Sequence, residues 1–133
     1  MKTKFVSGFL FMIALLFSAC EKGPGEGGTS TIRGKVIIRE YNGDFTILRD
    51  IYPGAKEDVY IIYGDDYVYG DKFETNYDGN YEFDYLLEGS YKVFAYSKDT
   101  NNLITSERIP IIREVEITDK NQVVEVPDII IAK

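Results

Sequence analysis

From residue 31 onward, apolar residues recur at alternate positions in short runs broken by glycine, asparagine and aspartate. No window carries the three-and-four spacing of an amphipathic helix. Residues 32–39, 58–63, 72–75, 80–85, 90–97, 113–118 and 122–126, with 129–131 closing the chain, are rich in β-branched and aromatic side chains and predict strands. Alternation assigns their faces. Gly34, Val36 and Ile38 oppose Arg33, Lys35 and Ile37; Tyr81, Phe83 and Tyr85 oppose Glu82 and Asp84. Val59, Ile61 and Tyr63 oppose Tyr60 and Ile62, and Tyr91, Val93 and Ala95 oppose Lys92, Phe94 and Tyr96. Asp78-Gly79 predicts a two-residue hairpin of type I′, which needs positive φ at both central residues. Glu88-Gly89 marks the next reversal. The pattern predicts an all-β chain: a single two-sheet antiparallel β-sandwich of about seven strands over 31–133.

The first thirty residues have a different texture. Lys2 and Lys4 precede an apolar run over 5–17, and Ser18-Ala19 supply small residues before Cys20. This is the anatomy of a secretory signal peptide over 1–19. The run is shorter than the roughly 20 residues a membrane span needs. Residues 20–30, rich in glycine with one proline, read as a flexible tether. Leu16-Phe17-Ser18-Ala19-Cys20 resembles the lipobox of bacterial lipoproteins, with Phe17 where leucine is usual. That resemblance implies lipidation of Cys20, a membrane partner through the lipid, and a place in the cell envelope. The outer membrane of a Gram-negative bacterium is expected, with the facing leaflet left open.

Charge and composition narrow the function. The chain carries 15 basic and 22 acidic residues; subtracting Lys2 and Lys4 changes its net charge from −7 to −9. No basic stripe offsets this, so nucleic acid is excluded as a partner. Histidine is absent and Cys20 is the sole cysteine, which removes histidine-based triads and metal sites and leaves no free thiolate. No catalytic residue and no cofactor is indicated.

Four segments carry a family resemblance: Ile32-Arg33-Gly34-Lys35-Val36, Val59-Tyr60-Ile61, Thr75-Asn76-Tyr77-Asp78-Gly79-Asn80-Tyr81-Glu82-Phe83, and Gly89-Ser90-Tyr91-Lys92-Val93. Together they resemble the carboxypeptidase regulatory-like group of transthyretin-like (prealbumin-like) β-sandwiches. The resemblance covers about residues 31–131. It implies a sandwich fold and the non-enzymatic accessory or spacer role usual in that group, although short turn-driven motifs themselves specify fold better than function.

Three constellations remain. Glu82 and Asp84 share a strand face about 7 Å apart, near the separation used by inverting glycosidases. An open sheet face would solvate both. Asp65, Asp66 and Asp71 form an oxygen-rich loop, a weak calcium candidate whose spacing matches no calcium-binding loop. Tyr60, Ile62, Phe94 and Tyr96 would make an outward apolar stripe if their strands are neighbours. That stripe would dock an envelope protein or a glycan, unless the connection 41–52, with Phe45, Ile47, Leu48 and Ile51, folds over it as a lid. The functions in play are a binding or assembly module, a structural spacer and a carbohydrate-acting enzyme.

Overall fold

The computed structural model describes residues 23–101 and 107–133, and these form two β-sheets with no helix. The signal peptide and Cys20 lie outside the described residues. Strand β1 (Glu26–Tyr41) is the axis of the first sheet. Its first half pairs with β5 (Asn80–Leu86) on one edge and β8 (Val123–Glu125) on the other. Its second half pairs with β2 (Leu48–Pro53) and β9 (Ile129–Ala132). Val36 marks the changeover from β5 to β2. Its N–H donates to the Gly79 carbonyl at 2.9 Å, and its carbonyl accepts the Gly54 N–H at 2.8 Å. The second sheet runs β4 (Asp71–Glu74), β3 (Asp58–Tyr63), β6 (Gly89–Lys98) and β7 (Arg108–Ile117), all antiparallel.

The two sheets face each other across one apolar layer. Ile32, Val36, Ile38, Tyr81, Phe83, Ile129 and Ile131 of the first meet Val59, Ile61, Tyr91, Val93, Ala95, Val115 and Ile117 of the second. Val36, Ile38, Val59, Ile61, Tyr81, Phe83, Tyr91, Val93 and Ala95 are inward positions that alternation assigned; Val115, Ile117, Ile129 and Ile131 join them from strands whose faces the sequence left unassigned. Burying each aliphatic side chain stabilises the fold by about 1.5–3 kcal/mol before the entropy of ordering it is subtracted.

The structure corrects the sequence reading at several places. β8 and β9 run parallel to β1, so the sandwich is not wholly antiparallel. The tether expected over 20–30 is shorter at its C-terminal side. Glu26 onward belongs to β1, and Ser30 is buried. The Ser30 hydroxyl donates to the Asp119 carbonyl at 2.8 Å and accepts the Gln122 N–H at 3.0 Å. A polar, glycine-rich composition reads as linker, but backbone pairing does not require apolar side chains.

The hairpin at Asp78-Gly79 is not type I′. Among the residues of this turn only Gly79 has positive φ, at 79°. Its N–H donates to the Asn76 carbonyl at 3.0 Å, and the Asn76 N–H donates to the Asn80 carbonyl at 3.1 Å. This is a three-residue loop with glycine in the left-handed position. The Asn76 side chain supplies the difference, because its Oδ1 accepts the N–H groups of Asp78 and Asn80 at 3.0 and 2.9 Å. Tyr85 also departs from its expected face. Its φ of 58° breaks the alternation, leaving Tyr85 exposed and Leu86 buried.

Candidate functional site

β3 and β6 are neighbours, with Tyr60 opposite Phe94 and Ile62 opposite Lys92. The stripe expected from the sequence therefore exists, on the outer face of the four-stranded sheet. The Tyr60 and Phe94 rings stack with centroids 5.1 Å apart. Tyr96 stands edge-on to both, at 5.7 and 5.5 Å. Tyr69, from the loop between β3 and β4, folds back onto Tyr60 at 4.8 Å. Phe94 is consequently buried beneath its neighbours, whereas Tyr96 remains 40% exposed. Tyr60 and Ile62 are half-buried.

The lid is overturned. Residues 48–53 form β2 and pair with β1 in the opposite sheet. Phe45, in a left-handed turn, packs on Tyr41 at 5.8 Å. The segment 48–53 is an edge strand in which Arg49 and Asp50 interrupt the apolar Leu48 and Ile51. Its Asn42-to-Thr46 turn, closed by the Asn42 Oδ1 accepting the Ile47 N–H, returns it to β1.

The face extends further than the sequence suggested. β7 begins at Arg108, five residues before the strand expected at 113. It places Ile112 opposite Phe94, Pro110 opposite Tyr96 and Arg108 opposite Lys98. Ile112 is 46% exposed, and the Arg108 guanidinium lies 5.6 Å from the Tyr96 ring centroid. Pro110 lies within β7, which is the edge of its sheet, where proline is tolerated. The run Ile109-Pro110-Ile111-Ile112 was the available signal. At the other end, Asp65, Ser90, Lys92, Glu114 and Glu116 line a shallow groove of about 430 Å³.

A second cleft, of about 480 Å³, opens on the first sheet between β1, β5 and the end of β8. Arg33, Lys35, Asn76, Asn80, Glu82 and Glu125 line it. Arg33 Nε is paired with Glu125 Oε1 at 2.5 Å. Glu82 reaches this cleft, but Asp84 is outside its lining and accepts a hydrogen bond from Thr31 Oγ1 at 2.9 Å. The carboxylate pair is thus divided between two surroundings. Asp65, Asp66 and Asp71 do not assemble a metal-binding group among the described residues. Asp71 Oδ1 instead accepts the Lys72 N–H at 2.7 Å.

Three phenols, the half-buried Tyr63 and the buried Tyr81 and Tyr91, have raised pKa values. Desolvation, followed by the nearby Glu26 carboxylate, pushes Tyr63 up to about 12. Desolvation also raises Tyr81 and Tyr91. None of the three lies on the outer aromatic face.

No family model matches the chain, and none of the curated proteins matches it. Among solved structures it is similar to a protein of Pseudomonas aeruginosa provisionally described as carbohydrate binding. The two share 12% identity over 82% of this chain and 91% of the other, with a TM-score of 0.48.

Proposed function

We propose that this chain is a lipid-anchored, non-catalytic binding module of the cell envelope that docks through the outer face of its four-stranded sheet. One observation carries the docking reading. Phe94 and its neighbours place Tyr96, Ile112 and Pro110 side by side on an exposed face. Aromatic residues and arginine are enriched at interaction sites. The non-catalytic reading rests on the division of Glu82 from Asp84 and on the absence of histidine. The carboxypeptidase regulatory-like resemblance supports the same role.

The anchor reading rests on the lipobox-like run ending at Cys20. Gly25 joins the packing of the domain five residues later, so at most about 18 Å of chain separates it from the lipid-bearing residue. We place the protein at the outer membrane, with an envelope protein or a glycan as its partner.

A photo-reactive amino acid in place of Tyr96, in the full chain expressed in a bacterial envelope, tests the docking face. Crosslinked adducts are expected from position 96 and not from Tyr85, which is exposed elsewhere. Absence of adducts from both positions would reject the binding role. Cys20→Ala should release the protein from the membrane fraction, and retention there would reject the anchor.

A further inference from the structure

The outer face of β6 and β7 is polarised along its length. At one end Lys98 and Arg108 stand opposite each other, both exposed. At the other end Lys92 faces Glu114 and Ser90 faces Glu116, lining the groove shared with Asp65. Phe94, Ile112, Tyr96 and Pro110 fill the middle. Among the described residues no ion pair engages Lys98, Arg108, Glu114 or Glu116. A basic end, an apolar middle and an acidic groove therefore follow one another over about 26 Å, at roughly 3.3 Å per residue.

Such a face is complementary to itself turned end for end. A two-fold axis lying in the interface, perpendicular to the strands and passing over Phe94 and Ile112, carries Arg108 onto Glu116 of a second copy. The same operation carries Glu116 onto that copy's Arg108, Ile112 onto its counterpart, and Lys92 onto a Tyr96 ring. Resting on the docking face proposed above, we propose that its occupant is a second copy of this chain, held in this antiparallel pairing. Association covers the exposed apolar middle and gives the uncommitted Arg108 and Glu116 opposite charges, while Lys98 and Glu114 fall over Ser90 and Pro110 of the second copy. The parallel alternative sets Arg108 against Arg108 and Glu116 against Glu116, and is disfavoured by like-charge repulsion. An anionic glycan or acidic peptide would use Lys98 and Arg108 but would be repelled by Glu114 and Glu116.

The test exchanges charges between two differently tagged full-length copies expressed together and read by co-purification. Wild-type copies should co-purify, and less so as salt is raised. Two Arg108→Glu copies should separate, as should two Glu116→Arg copies. An Arg108→Glu copy with a Glu116→Arg copy should pair again, because both contacts are then opposite in sign. That recovery also shows that neither variant is misfolded. Failure of wild-type copies to associate, or unchanged association in either single variant, would overturn the pairing. An adduct at position 96 with a molecule other than this chain would overturn it while leaving the docking face standing. No adduct at all would overturn both.

Discussion

The Gly25 N–H donates to the Tyr91 hydroxyl at 2.9 Å, joining the residue just before β1 to the first pleat of β6. The same hydroxyl donates to the Leu87 carbonyl at 2.5 Å. Tyr81, the other fully buried tyrosine, is its opposite: its hydroxyl is buried with no hydrogen-bond partner among the described residues. Tyr91→Phe should therefore cost about 1–3 kcal/mol by orphaning a buried N–H. Tyr81→Phe should be neutral or stabilising by about 1 kcal/mol, because it removes a desolvated hydroxyl that gains nothing in return. Urea denaturation of both variants checks the contrast, and equal losses would contradict it.

These phenols also give the fold an alkaline limit. Tyr63, Tyr81 and Tyr91 all have folded-state pKa values above the ordinary 10, Tyr63 at about 12. The unfolded chain therefore releases these protons first as pH rises. Their contribution to stability is fully present below pH 10 and is lost as pH climbs through the folded pKa values. Denaturation midpoints should be flat from pH 8 to 9.5 and fall beyond about pH 10. Tyr81→Phe should make that fall shallower. An unchanged slope in the variant would show that Tyr81 does not contribute to it.

Gly79 sits where three elements meet. A Cβ there would lie 2.6 Å from the Val36 carbonyl oxygen and 2.9 Å from the Gly54 nitrogen, on a backbone with φ of 79°. Those two atoms belong to the junction at which β1 changes partners from β5 to β2. Gly79→Ala should cost well over the approximately 1 kcal/mol of left-handed strain alone, since backbone must also shift. A melting temperature within a degree or two of wild type would refute this reading of the junction.

The inward faces of β1, β3 and β6 were legible because a half-buried strand must alternate, and Ile32, Val59 and Tyr91 obey that rule. What escaped notice was fixed by partners remote in sequence. β2 looked like a long connection because Arg49 and Asp50 interrupt its apolar residues and neither side of an edge strand must be fully buried. β8 and β9 were visible as strands, but their parallel pairing with β1 is a property of topology, not of local pattern. At the docking face, Tyr60, Ile62, Phe94 and Tyr96 were read from alternation alone. Arg108, Ile112 and Glu116 became part of it only through the register of β7 on β6. Phe94 was expected to be exposed; its stacking on Tyr60 depends on a pairing register that no single strand encodes.

That correction leads to a division of labour within the face. Phe94 is 8% exposed, with Tyr60 stacked on it, Tyr96 at its edge and Ile112 opposite it in the ladder. It belongs to a small aromatic cluster that holds the outer side of the sheet together. Tyr96 is 40% exposed and is bounded by Arg108 on its outer side. Truncating Phe94 removes a buried ring and leaves a cavity, so Phe94→Ala should cost about 3 kcal/mol or more. Truncating Tyr96 forfeits partial packing and an exposed cation–π contact of about 0.5–1 kcal/mol. Tyr96→Ala should therefore reduce stability by no more than about 1.5 kcal/mol. The difference matters for function, because a residue that can be removed cheaply from the fold is free to spend its interactions on a partner. Thermal or urea denaturation of the two variants measures it directly. Equal destabilisation would mean that Tyr96 is committed to the domain's own packing, and the docking face would then lose its central exposed ring.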